Sequence, residues 1–355
     1  MKERSHAFDL LCGICILRMI TAHCVGTCSF EKKDWWLDVM QWTYFFMCFF
    51  FFKAGYFNKT IGGSTWAFLK DKTRRLLVPY FSWGAIGSAV FFFFTMCVFP
   101  PSHATVKALR WGHLWEVSGF WGNPPLWFLM SFFMTYVVAH LLESVPSWRL
   151  CKTRYGEVRL GVVWTVVVFP FVSYWLCKEK VPLWLSLGNV FMGVFLFEMG
   201  RLWRRIMEAH QRRTMVAVSV AMIAAFVALN VTHNGYKYAM SNNLWQGTQW
   251  VLIPAIIVIT CGLSGLLEAI RVPRIPGVCY IGEHSMVYFV SHYVVITLYE
   301  FTRSAFGHSL RGNWDDLLIL LPICFMVSTI LVPWVERVEL LSGRYGARKH
   351  KLWII

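Results

Sequence analysis

Charge is scarce in this chain. Of its 355 residues, 15% are Asp, Glu, Lys or Arg, against 57% hydrophobic and 17% aromatic, and the mean hydropathy is +0.51. Such a chain is too apolar and too poor in charge to fold as a soluble globule, and that class is excluded. Recognisable nucleotide and metal motifs are missing too. There is no Walker loop, no Rossmann glycine fingerprint, no HExxH and no metal-ligand spacing, so neither energy coupling by nucleotide hydrolysis nor a bound metal is expected. The absence of repeats, low-complexity tracts and long polar stretches predicts one membrane domain over residues 1–355 with short loops. A cleavable signal peptide is also lacking: the first apolar stretch carries Asp9 and Arg18 and has no small-residue cleavage site, so it is expected to stay in the membrane.

What is present is a series of long, unalternating apolar runs, such as YFFMCFFFF and LILLPICFMVSTILV. A bilayer admits only helices and closed barrels, and runs without alternation favour helices. The expected fold is therefore all-α, a polytopic membrane protein with about ten transmembrane helices in one bundle. The spans are predicted at 8–28, 38–57, 76–99, 125–142, 160–177, 184–203, 214–230, 247–267, 280–300 and 316–336. Ten spans put both termini on one side. With the N-terminus in the cytoplasm, the inner segments hold 23 Lys and Arg and the outer loops 9, as the positive-inside rule demands. The net charge of +15 then reads as cytoplasmic loops facing anionic lipid, and it requires no nucleic acid. Eleven cysteines include the CxxC of Cys12 and Cys15, but within an apolar helix these are expected to pack as small hydrophobes. The longest outer loop, Pro100 to Pro124, contains His103, His113 and Glu116. Its Trp111 and Trp115 suit an interfacial helix, the alternative being substrate contact.

The first span, FDLLCGICILRMITAH, sets Asp9, Arg18 and His23 in apolar surroundings. An ionisable group at the bilayer centre costs from about 2.5 to 10 or more kcal/mol, so function is the default hypothesis. His23 lies about 22 Å along the helix from Phe8, and Arg18 is about 140° around the helix from it, so the two are not expected to be direct partners. His292 lies about 18 Å along a later span that also rises from the cytoplasm. Two histidines from distant spans thus reach similar depth, where neutral imidazole is the best general base. The alternative for each is a core histidine hydrogen-bonded across helices. Lys53 either snorkels to the headgroups or joins Lys70, Lys72, Arg74 and Arg75 as a cytoplasmic anion site.

RSHAFDLLCGICILRMITAH resembles the first helix of the integral-membrane acyltransferase 3 family, whose members acylate, most often acetylate, sugars and surface polysaccharides. FFFFKAGYFNK, RRLLVPYFSW, NPPLWFLMSFF and YIGEHSMVYFVSH resemble four further family segments in matching order, so the resemblance covers nearly the whole chain. It implies a membrane-bound O-acyltransferase, moving an acetyl group from cytoplasmic acetyl-CoA to a sugar hydroxyl of a lipid-linked or surface glycan in a bacterial inner membrane. The implied general base is His23, and His292 matches the late histidine. Trp127 and Phe128 match the Leu-Trp-Phe segment, on the acceptor side of the reading. Arg74 and Arg75, with Lys53, are the implied acetyl-CoA residues. The donor that stabilises the oxyanion is left open among His292, Arg18 and Trp127. Direct attack is favoured over an acyl-histidine because it needs fewer groups. One departure stands out: the family's basic residue eleven positions before the histidine is Cys12 here, a position that Arg18 or Lys53 could replace. A glycolipid or small-anion transporter and a non-catalytic family member are the alternative readings; the transporter lacks support from paired broken helices.

Overall fold

The computed structural model describes residues 6–58, 64–98, 119–144, 149–153, 156–181, 183–232, 240 and 250–344. The loop residues His103, Trp111, His113, Trp115 and Glu116 lie outside them. Helices dominate the described residues, with a single short hairpin, β1 (Arg149–Thr153) and β2 (Gly156–Arg159). The fold is all-α, and among the described residues eight helices are long and apolar enough to cross a membrane.

The chain begins with α1 (His6–Thr27), the most enclosed of those spans among the described residues. The expected span 38–57 is α2 (Asp34–Thr43) and α3 (Phe46–Phe57), separated by a turn at Tyr44 and Phe45. The third starts earlier than its hydropathy suggests. It runs from Thr65 to Val98 as α4 (Thr65–Lys72), a π-helical turn (Thr73–Leu77), α5 (Val78–Phe93) and a second π-helical turn (Phe94–Val98). There follow α6 (Trp127–Ser144), α7 (Leu160–Lys178), α8 (Leu187–Ala209), α9 (Arg212–Thr232) and α10 (Leu252–Ile270). The expected span 280–300 divides into α11 (Pro276–Glu283) and α12 (Ser285–Ala305), which hinge at His284. Ser291, His292, Glu300 and Arg303 make α12 too polar to qualify as a span by composition, although Ser291 and His292 are buried. The bundle closes with α13 (Trp314–Val335) and the short α14 (Glu339–Ser342).

Helix α1 sits among α3, α10, α11, α12 and α13. In lipid no hydrophobic effect draws apolar helices together, so small residues that permit backbone approach dominate the seams. At α3 and α8, a Cβ on Gly55 would collide with the Phe197 carbonyl, and one on Gly200 with the Phe52 carbonyl. This close seam fixes the depth and rotation of α3, and with them Lys53. Polar links fix α12. Ser291 Oγ meets Ser328 Oγ on α13 at 2.9 Å, and Tyr288 OH meets Thr329 Oγ1 at 2.7 Å. On its other flank Asn123 Nδ2 donates to the Val290 carbonyl at 2.9 Å, and Thr297 Oγ1 to the Gly122 carbonyl at 3.1 Å. Among the described residues ten cysteines form no disulfide, and all but Cys97 are buried.

Candidate active site

The structure brings His23 and His292 together. Their rings lie 5.2 Å apart, centroid to centroid, at 32°, and Tyr293 meets the His23 ring edge-on at 5.3 Å. His292 is fully buried, and the geometry fixes its tautomer. Its Nδ1–H donates to the Phe289 carbonyl at 2.8 Å, with the Tyr288 carbonyl at 3.1 Å, since a carbonyl can only accept. In the neutral ring Nε2 is therefore an acceptor, and no hydrogen-bond partner reaches it among the described residues. His292 consequently offers a lone pair and not an N–H, the opposite of what an oxyanion donor requires.

His23 and Tyr293 face a cavity of about 230 Å³. Trp127 is on its wall, with Pro124, Pro125 and Met240. A second cavity, of about 410 Å³, lies toward the end of the bundle where α1 begins, and it is bordered by Lys53, Lys72 and Arg75. Its inner wall is aromatic: Phe128 stacks on Phe132 at 5.2 Å and meets Phe50 at 5.7 Å. Cations at the rim of an apolar chamber suit a ligand with a phosphorylated head and a less polar arm. The π-helical turn Thr73–Leu77 presents Arg75 to this cavity, where its Nε also holds Asp71 Oδ1 at 2.7 Å, while Arg74 is exposed and does not line it. Lys72 lies over the Tyr136 ring at 4.1 Å.

Arg18 is elsewhere. Its Nε donates to Thr43 Oγ1 at 3.0 Å, its Nη2 to Met40 Sδ at 2.9 Å, and its guanidinium lies 4.3 Å over the Phe46 ring. It lines neither cavity and ties α1 to α2 and α3. Of the three residues considered as oxyanion donor, Trp127 is the one with a place on the His23 cavity wall and an N–H to give.

Cys12 and Lys53 meet. Lys53 Nζ donates to the fully buried Cys12 Sγ at 2.9 Å. Eleven residues of helix separate Cys12 from His23, about 16 Å of rise and about 20° of rotation, so the lysine arriving from α3 stands below His23 on the same face of α1. A cation thus occupies the neighbourhood of position 12 although residue 12 is not basic. Sequence reasoning did not single out Tyr293, Phe289 or Asn123. The first two fall one helical turn apart around His292, and that spacing was the available signal.

A polytopic helical bundle with a histidine pair beside one cavity, and a second, cation-rimmed cavity next to it, fits a membrane enzyme or a transporter. The comparison with family models decides between these. The model described as an acyltransferase domain, that of the acyltransferase 3 family, matches residues 5–335, and the chain belongs to that family. It is a membrane acyltransferase. No curated protein matches the chain.

Proposed function

We propose that this acyltransferase moves an acetyl group from cytoplasmic acetyl-CoA to a sugar hydroxyl of a lipid-linked or surface glycan, from the inner membrane and with both termini in the cytoplasm. The observation that carries the reading is the pairing of His23 and His292 beside one cavity, with a cation-rimmed second cavity next to it. Lys53, Lys72 and Arg75 hold the phosphates of the donor, and the pantetheine arm points along the apolar wall toward His23. Arg74, exposed beside them, adds charge to the approach.

The acceptor hydroxyl enters the smaller cavity against Trp127. His23 takes its proton as the oxygen attacks the thioester carbonyl. The carbon–sulfur bond then breaks, and the proton held by His23 passes to the departing CoA thiolate. The Trp127 N–H stabilises the oxyanion in surroundings from which water is largely excluded. His292, with its ring 5.2 Å from that of His23, packs against the base and holds its orientation. Direct transfer needs no further nucleophile.

The test uses the purified protein and radiolabelled acetyl-CoA with lipid-linked glycan from the host membrane. Wild-type protein moves label into glycan, and His23→Ala at equal membrane expression does not. An active His23→Ala enzyme removes the assigned base, and failure of wild-type protein to transfer or to bind acetyl-CoA removes the reading as a whole.

A further inference from the structure

The two cavities lie end to end. Helix α1 lines the larger with Ile16 and the smaller with Met19, one turn further on. Helix α3, running the other way, does the same with Phe50 and Phe46. At the start of α6 consecutive residues divide between them, Phe128 facing the larger and Trp127 the smaller. Helix α12 contributes Met286 to the first and Tyr293 to the second, and between these Phe289 lines both. The same four helices therefore line both chambers, and among the described residues Phe289 is the one that the chambers share.

Phe289 is held firmly in that place. It is 5% exposed, its ring lies 5.2 Å from that of Phe128 and 6.2 Å from that of His292, and its own carbonyl accepts the His292 Nδ1–H. Lys53, Lys72 and Arg75 line the first chamber, His23 lines the second, and Phe289 lines both.

We infer that Phe289 is the specificity-determining residue for the acyl group: its ring forms the partition between donor and acceptor chambers and limits transfer to short chains. The inference rests on the acyl-CoA reading above. The partition sits on the reacting end of the donor and not on its charged end, so altering it changes which acyl group reacts far more than how tightly CoA is held. One methylene in an apolar pocket changes discrimination by about 10- to 200-fold.

The experiment measures kcat and KM for acetyl-, butyryl- and hexanoyl-CoA with wild-type protein, Phe289→Ala, Phe289→Leu and Phe289→Trp, each in membranes at matched expression. Phe289→Ala joins the chambers and raises the butyryl-to-acetyl ratio of kcat/KM about tenfold or more. Phe289→Leu, closer in volume and expected to fold where alanine does not, raises it by less. Phe289→Trp lowers kcat for acetyl-CoA with KM little changed. Equal ratios in wild-type protein and in the folded alanine or leucine variant overturn the inference and leave the acyltransferase reading intact. Wild-type protein that uses none of the three donors overturns both.

Discussion

The contact between Cys12 and Lys53 allows a charge to be moved across a helix seam. Cys12→Arg places a guanidinium where the Lys53 ammonium already stands 2.9 Å from sulfur, at a position with no exposed surface. Two like charges about 4 Å apart at an effective dielectric of about 20 repel by about 4 kcal/mol. The larger side chain adds about 1–3 kcal/mol of overpacking. A single substitution costing about 5 kcal/mol takes a large part of the stability of an ordinary domain, so Cys12→Arg should unfold at a much lower SDS fraction than wild type. Lys53→Met in the same chain removes the repulsion and vacates the volume of an ammonium group. The double variant should recover about 4 kcal/mol relative to the sum of the single ones, a coupling measured by a double-mutant cycle on SDS unfolding in mixed micelles. Acetyl-CoA affinity should follow: weakened in Lys53→Met, restored in Cys12→Arg/Lys53→Met, because the cation has returned from the opposite helix. A coupling under about 1 kcal/mol would refute the contact, and donor affinity unmoved by Lys53→Met would refute its role.

Other perturbations separate positioning from packing. Asn123→Ala frees the buried Val290 carbonyl and should cost about 1–3 kcal/mol in stability while lowering kcat more than it raises KM, since α12 carries His292 two residues on; unchanged kcat would show that the link only packs. Gly55→Val drives a side chain into the Phe197 carbonyl and should abolish folded protein in a thermal-unfolding assay, whereas the same change at Gly277, which meets nothing, should be tolerated. At the membrane-proximal end of α13, burial pushes the Glu336 carboxyl up. The hydrogen bond with His284 at 2.6 Å and the charge of Arg344 outweigh that and hold it below the ordinary value. Its contribution is thus complete above the unfolded value near 4.5 and lost as pH falls through the lower folded one. Glu336→Gln should flatten the stability profile below about pH 4.5, and a profile identical to wild type would exclude Glu336 as its source.

Most of the bundle was legible because a bilayer leaves the backbone few choices: a long apolar run must be helical, and hydropathy therefore finds α1, α8 or α13 directly. Boundaries were less so. The amphipathic α4 has little apolar signal of its own and continues into α5 only through a π-helical turn, which no hydropathy window registers. The depths of His23 and His292 follow from helix rise, but their ring-to-ring contact depends on how α12 is rotated. That rotation is set by Asn123 and by two serine and threonine links, residues without a distinguishing pattern in the sequence. From sequence, Lys53 is a snorkelling or donor-binding residue that, like Arg18, could replace the cation missing at Cys12. Its meeting with Cys12, 41 residues away, is produced by close helix seams, and seams between apolar surfaces leave no periodic mark. Arg18 attracted notice for its cost in lipid, and the structure spends it on joining α1 to α2 and α3.

An aromatic wall at mid-depth also bears on the cell that carries this protein. A path that admits a charged donor from one face and a hydrophilic acceptor from the other is, if continuous and wet, an electrical short circuit across the membrane. Apolar constrictions stop ions by excluding water, without needing a tight mechanical seal. On the reading proposed above, Phe289, which lines both chambers, and Phe128, 5.2 Å from it, would form such a dry stretch. On the proposed reading, insulation and acyl selection rest on one ring, and Phe289→Ala should make the bilayer leak to small ions in proteoliposomes while wild-type protein holds a potential.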